Sequence, residues 1–295
     1  MPQLGFDSMP ARLYPCTPTR LRTWLDCPRR YRMTYLDRPA PRKGRPWAHN
    51  SLGASVHNAL AGWWRLPRPE RTAGAAGRLL EHGWLTDGYA DDAQSARYLR
   101  LATDLVERYV AGLDPDNEPV GVERTVGTKT DRIAVTGRID RLDDRPAGAG
   151  PVPGPGRELV VVDYKTGRRP PTVDDARSSL ALAIYAIAAG RVLHRPCLAV
   201  ELHHLPTGQV IRAEHTRQSL DRQLGRAEEI AAECALADEA FGAGRAGAEE
   251  FPPRPGPGCG WCDFRAHCPQ GQAAAPARRP DEGLAAADPA APEDG

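Results

Sequence analysis

The sequence predicts an α/β chain in which a helical first third leads into a small sheet, with a further helix interrupting the strands. Three observations carry this: apolar residues recur at helical spacing as far as Leu113, the period falls to two from Val120, and the helical pattern returns at Ser178. At 295 residues the chain buries a core without help from disulfides. Its longest apolar stretch, Leu180 to Ala189, is too short to span a bilayer, and the first thirty residues carry Arg12, Arg20 and Arg22 but no continuous apolar core. Neither a membrane span nor a secretory leader is expected, which points to the cytoplasm.

The elements follow in order. Residues 1–16 read as an N-terminal extension. Thr17 is placed to cap a helix opened by Pro18, with Leu21, Trp24 and Leu25 on one face, until Pro28 interrupts it after Cys27. Arg29 to Leu36 continues as a second helical piece. Ser51 reads as the cap of a third, carrying Leu52, Val56, Leu60, Trp63 and Trp64 at helical spacing with His57 among them. Leu99 to Leu113 marks a long amphipathic helix. Strands are expected from Val120, from Ile133 to Ile139 and from Leu159 to Val162, with the Pro- and Gly-rich stretch Arg145 to Gly156 as a surface loop. Ser178 to Ala189 returns to helix, Leu198 to Leu205 and Val210 to Ala213 read as strands, and Thr216 to Phe241 as a last helix. One domain over 17–270 accounts for these elements, and the Ala-, Pro- and charge-rich residues 271–295 are expected to be a disordered tail. A phosphate loop of the form G-x-x-x-x-G-K-[ST] is absent from the sequence, which disfavours an ATP-driven motor.

The formal net charge is +1, yet Arg20 to Arg45 holds nine Arg or Lys against Asp26 and Asp37. Such a segment suits an anionic partner, and Arg29, Arg30 and Arg32 are its candidate phosphate contacts; a solvated basic face is the plainer alternative. Only three lysines occur, at 43, 129 and 165. The most informative stretch is ELVVVDYKTG at 158–167, where alternation puts Asp163 and Lys165 on one face of a strand end and Tyr164 on the other. Upstream, GRIDRLDD sets Asp140 near the end of the preceding strand, able to join Asp163 across the sheet. Two carboxylates suit Mg²⁺ or Mn²⁺, which polarises a phosphodiester while a lysine orients the nucleophile. An ion pair between Asp163 and Lys165, with Asp140 capping a turn, fits the spacing equally well. His57 on an Ala- and Trp-rich helix is more simply a core-edge residue, and Glu123 has at most a supporting role.

Cys259, Cys262 and Cys268 follow C-x2-C-x5-C, and Cys27 is the natural fourth thiolate. Spacing does not separate tetrahedral zinc from an iron-sulfur cluster. Cys16, Cys197 and Cys234 lack metal spacing, with Cys16 the one substitute ligand.

Taken together, LRTWLDCPRRYRMTYL, LGASVHNAL, the Glu123 strand, GRIDRLDD, VVVDYKTG and the terminal cysteines, in that order, resemble the RecB-type nucleases of the PD-(D/E)xK superfamily over Thr17 to Pro269. The resemblance implies a restriction-endonuclease-like core, a mixed central sheet flanked by helices. It also implies a metal held by His57, Asp140, Asp163 and the main-chain carbonyl of Tyr164, with Asp140, Asp163 and the catalytic Lys165 carrying the reaction. It favours a 4Fe-4S cluster on Cys27, Cys259, Cys262 and Cys268, stapling the two ends of the domain. Tyr185 matches a tyrosine associated with DNA binding, but Ala181 stands where the family usually has its Gln. The implied function is a Mg²⁺- or Mn²⁺-dependent deoxyribonuclease, an exonuclease on single-stranded or frayed DNA ends in repair or recombination, with a separate helicase as a partner. A CRISPR-associated adaptation nuclease shares these motifs, and a non-catalytic iron-sulfur protein clamping DNA ends is the alternative outside the nucleases.

Overall fold

The structure, a computed structural model, describes residues 13–147 and 156–284. A short strand, β1 (Tyr14–Cys16), precedes helices α1 (Pro18–Asp26), α2 (Pro28–Tyr35), α3 (Ala48–Arg65), α4 (Ala73–His82) and α5 (Asp92–Ala111). Strands β2 (Gly121–Lys129), β3 (Ile133–Pro146) and β4 (Arg157–Lys165) come next, then α6 (Val173–Ser178), α7 (Leu180–Leu193), β5 (Ala199–His204), β6 (Gln209–Glu214) and α8 (Arg217–Gly242). The 3-10 turns Pro257–Trp261 and Arg265–His267 lead into α9 (Pro269–Ala274). The strands form one mixed sheet in the order β1-β3-β4-β5-β6, with β2 on the other side of β3. β1 runs parallel to β3 and β4 parallel to β5, while the remaining pairs are antiparallel. No helix among the described residues is long and apolar enough to cross a membrane.

The run Leu159 to Val162 has no polar face because β4 is covered on both sides. Val160, Val162 and Tyr164 face a core built with α3, α4 and α5, whereas Leu159 and Val161 face α7. The parallel β4–β5 pair requires a crossover, which α6 and α7 supply. A third core gathers Leu21, Trp24 and Tyr31 from the N-terminal helices with Ile230 and Cys234 of α8 and Phe251. Each such large side chain contributes about 1.5–3 kcal/mol on burial. Thr17 caps α1 as its sequence predicts, accepting from the Arg20 amide at 3.1 Å.

The structure departs from the sequence reading in five places. Residues 14–16, read as part of an extension, pair with Ile133 to Val135; three residues are too few for alternation to register. Helix α3 begins at Ala48, so Ser51 lies inside it and is buried; Trp47 occupies the N-cap without a side-chain bond, and Pro280 satisfies the Ala48 amide through its carbonyl at 3.0 Å. Helix α4, amphipathic through the small residues Ala75 and Ala76 with Leu79 and Leu80, is an addition to the elements read from sequence. β3 runs on to Pro146, carried through the supposed loop by pairing with β4, and the rest of that loop, 148–155, lies outside the described residues. Finally, the supposed tail is packed as far as Leu284, which is 7% exposed beside Ala48, Tyr89 and Tyr98. One buried leucine and a few main-chain bonds fix a segment that its composition alone would leave loose. Residues 1–12 and 285–295 lie outside the described residues.

Candidate active site

Antiparallel pairing of β3 with β4 sets Arg141 opposite Val162, which brings Asp140 and Asp163 to the neighbouring position of the ladder. Asp140 Oδ2 accepts a hydrogen bond from the Tyr164 amide at 3.0 Å. From α3, His57 reaches the same strand end: its Nδ1 lies 3.3 Å from Asp140 Oδ2 and its Nε2 3.1 Å from the Tyr164 carbonyl oxygen. The Tyr164 ring packs edge-on against His57 at 5.7 Å, so one residue orients the imidazole by its ring and its carbonyl. Glu123 completes the group. Ligand atoms of His57, Glu123 and Asp140 all lie within 4.8 Å of one another.

Glu123 earned only a supporting role from sequence, and the backbone explains why it comes so close. Its φ is +48°, a left-handed conformation uncommon for a residue with a side chain, in the ladder gap between Val122–Arg141 and Arg124–Ile139. No sequence pattern signals that twist. Asp163 stands outside this close group. Its Oδ2 is sealed from solvent, with Lys165 Nζ 2.5 Å away as an ion pair rather than an aligned hydrogen bond. Sequence reading had left open an ion pair or a metal ligand at Asp163, and the geometry contains the pair.

Burial pushes the Asp163 carboxyl above its usual range, and the Asp140 charge adds to this against the pull of Lys165. Burial likewise raises the Glu123 carboxyl, with Arg138, 2.6 Å away, opposing. Burial alone would lower His57, but the Asp140 bond and the charges of Asp140, Asp163 and Glu123 outweigh it and raise the imidazole pKa. Three carboxylates crowd one imidazole, so the pocket favours positive charge. The donor set of carboxylates, imidazole nitrogen and carbonyl oxygen fits a hard or borderline divalent cation.

Tyr185 of α7 lies against β3 where Gly137 has no side chain; a Cβ there would stand 2.3 Å from the tyrosine Cε1. Its hydroxyl is raised by burial first, then by the Asp163 and Asp140 charges, and stays a neutral donor beside the carboxylates. Arg29 donates to Gln270 at 2.7 Å. Arg32 pairs with Asp37 at 3.2 Å, meets the Ala246 carbonyl and lies over the Phe251 ring, because α2 packs that side chain against the 245–251 segment.

Sequence reading missed a buried polar network on the other side of Tyr164. Arg141 donates to Asp143 at 3.0 Å and lies 3.2 Å from the Tyr109 hydroxyl and 3.4 Å from that of Tyr164. Glu201 receives Arg145 at 2.6 Å, Arg212 at 3.2 Å and His203 Nε2 at 3.0 Å. Burial pushes the His203 pKa down despite Glu201, so a neutral ring donates from Nε2 to Glu201 and accepts at Nδ1 from Tyr109, 2.7 Å away. The signal was present as charges at inward positions of apolar strands, Glu201 in AVELHHL and Asp143 in RLDDR.

Cys27, Cys259, Cys262 and Cys268 line one cavity of about 380 Å³, with Arg29 and Arg30 at its wall. Cys27 Sγ accepts the Arg254 amide at 3.5 Å and Cys268 Sγ the Gly271 amide at 3.4 Å. Among the described residues no three of these sulfurs lie within 4.8 Å of one another. Tetrahedral zinc, with bonds of about 2.3 Å, needs them about 3.8 Å apart. All four thiols line the same cavity, a donor set that either a zinc ion or an iron-sulfur cluster takes. Cys16, Cys197 and Cys234 are buried elsewhere in the cores, their thiols pushed up by burial to about 11, about 12 and about 12.

No curated protein matches the chain. The family model described as the PD-(D/E)XK nuclease superfamily matches residues 15–269, which take in every strand but the first residue of β1, the carboxylates, Lys165 and the cysteine cavity. The chain belongs to the PD-(D/E)XK nuclease superfamily.

Proposed function

We propose that the protein is a Mg²⁺- or Mn²⁺-dependent deoxyribonuclease of the RecB type, a single-strand exonuclease working in DNA repair or recombination with a separate helicase. The observation that carries the reading is the convergence of His57, Glu123 and Asp140 within 4.8 Å at the strand end that also bears Asp163 and Lys165. His57, Asp140, Glu123 and the Tyr164 carbonyl, with Asp163 beside them, are the residues to hold the ion. When bound, a divalent ion there supplies Lewis-acid polarisation of the phosphodiester and a more acidic water. Lys165, 45% exposed and flexible, places a compact ammonium against the attacked phosphate, and Tyr185 offers a neutral hydroxyl donor. Anaerobically purified protein is expected to degrade end-labelled single-stranded DNA with Mn²⁺ or Mg²⁺ and not with chelator. Binding without any cleavage under all these conditions would instead favour a non-catalytic clamp on DNA ends.

The cysteine cavity is read as the seat of a 4Fe-4S cluster with a structural role. Its support is the lining of one cavity by all four cysteines, which come from both ends of the domain. Cys27 follows α1, whereas the other three ligands lie beyond residue 256, so filling the cavity ties the ends of the domain together. Cys262→Ser is therefore expected to lose the brown colour and most of the roughly four irons per chain, and to melt at a lower temperature. Full iron content in Cys262→Ser, or wild-type protein holding one zinc and no iron, rejects the cluster.

A further inference from the structure

Beside Asp163 and Lys165 opens a cleft of about 460 Å³ between α1 on one wall and the start of α7 on the other, with α8 closing one end. Its charged lining is Arg22, Asp163, Lys165, Arg169, Asp175 and Arg226, a surplus of positive charge. The partners of these groups differ. Lys165 holds Asp163, and Arg169 holds Asp175, which is itself tied to the Thr172 amide and hydroxyl at the α6 cap. Arg22 is 76% exposed and, among the described residues, pairs with Asp26 of its own helix, an exposed i,i+4 ion pair of the weak kind. Arg226 is exposed, and among the described residues no acidic group pairs with it. Two arginines on different helices thus face a cleft whose inner end is the catalytic strand, and neither gives up a strong contact by binding an anion.

We infer that this cleft takes the substrate as a single strand, with Arg22 and Arg226 binding backbone phosphates next to the one presented to Lys165. What the strand is for rests on the nuclease reading above. The volume is that of a small-ligand cleft, about 300–1,000 Å³, of the order that one backbone fills. The apolar part of the lining, with Leu25 and Leu180 on opposite walls, gives unstacked bases a surface without hydrogen-bond readout, so affinity is insensitive to sequence. Ala181 lines this cleft, so the position where the family usually has its Gln offers no polar group there.

The test is anisotropy of a fluorescent oligothymidine in chelator, with salt varied between about 50 and 200 mM. Arg226→Ala and Arg22→Ala are each expected to weaken binding roughly threefold to tenfold and to lower the log–log salt slope by about 0.7 per lost phosphate contact. Arg226→Lys restores most of the affinity, oligoadenosine behaves like oligothymidine, and a blunt hairpin duplex competes poorly. Arg78→Ala on α4, remote from the cleft, serves as the control and leaves both affinity and slope unchanged. An unchanged slope in the Arg22→Ala, Arg226→Ala double variant overturns the cleft, as does a duplex that binds like the single strand. Cleavage by the wild type alongside that result leaves the nuclease reading standing. Arginine-dependent binding with no cleavage in any metal does the reverse.

Discussion

Asp163→Asn is expected to lose cleavage by about 10³-fold or more, and in chelator to melt at a slightly higher temperature than the wild type. The loss follows from where the carboxylate stands, paired with Lys165 beside the acidic group that faces the phosphate. The gain follows from burial, which raises the Asp163 pKa. A carboxyl titrating higher in the folded than in the unfolded protein destabilises the fold as pH rises above the unfolded value of about 3.9. The cost grows until the pH passes the raised pKa of the folded state, and the neutral amide removes it; with the side chain 23% exposed, the gain is small. Divalent ion should raise the melting temperature of the wild type and not of the variant. Lys165→Ala shares the loss of cleavage, and Lys165→Arg does not repair it, because the planar guanidinium does not fit the position of a compact ammonium. Cleavage by Asp163→Asn within tenfold of wild type removes Asp163 from the reaction, and a lower melting temperature in chelator contradicts the electrostatic account.

The second large effect lies behind the site. Glu201→Ala is expected to cost about 1–3 kcal/mol, since it removes the acceptor of His203 in the interior and one carboxylate from Arg145 and Arg212, which keep Asp143, Glu158 and Glu214. Burial acts to raise the Glu201 carboxyl, but the His203 bond and the Arg145 charge outweigh it and hold its pKa at about 2. A depressed carboxyl stabilises the fold fully above its unfolded pKa of about 4.3, and that stability is lost as pH falls toward 2. Wild-type protein should therefore weaken between about pH 4.5 and pH 2 more steeply than Glu201→Ala. Urea titrations at pH 7 and pH 3 measure both; a neutral-pH cost under 1 kcal/mol, or parallel acid profiles, dismisses the network as a source of stability.

What the sequence disclosed was what depends on nearest neighbours and strand alternation. Thr17 and Pro18 announce α1, the apolar run before Asp163 announces a strand buried on both faces, and alternation separates Asp163 and Lys165 from Tyr164. What it concealed depends on partners far along the chain. Glu123 joins His57 through a left-handed backbone that an ordinary glutamate does not advertise. Two partners of Arg32, Phe251 and the Ala246 carbonyl, lie far along the chain and meet it only in the fold. The start of α3 was misplaced for the same reason: its capping partner is Pro280, not a side chain beside it.

That last contact bears on how the protein is made. Trp47 donates to Asp263, 216 residues further on, at the head of the helix that carries His57. Ala48 draws on Pro280, and Trp24 and Tyr14 reach Glu233 and Asp238. At about 5–20 residues per second the ribosome releases Trp47 some 10 to 40 s before Asp263. For the last 98 residues of that stretch, from Lys165 to Asp263, about 5 to 20 s, a nascent chain holds the carboxylates and Lys165 but lacks the residues that seat the histidine helix. The histidine helix is thus seated only once residues 263 to 280 have been made, and a fragment that stops short of them carries the catalytic strand without that support.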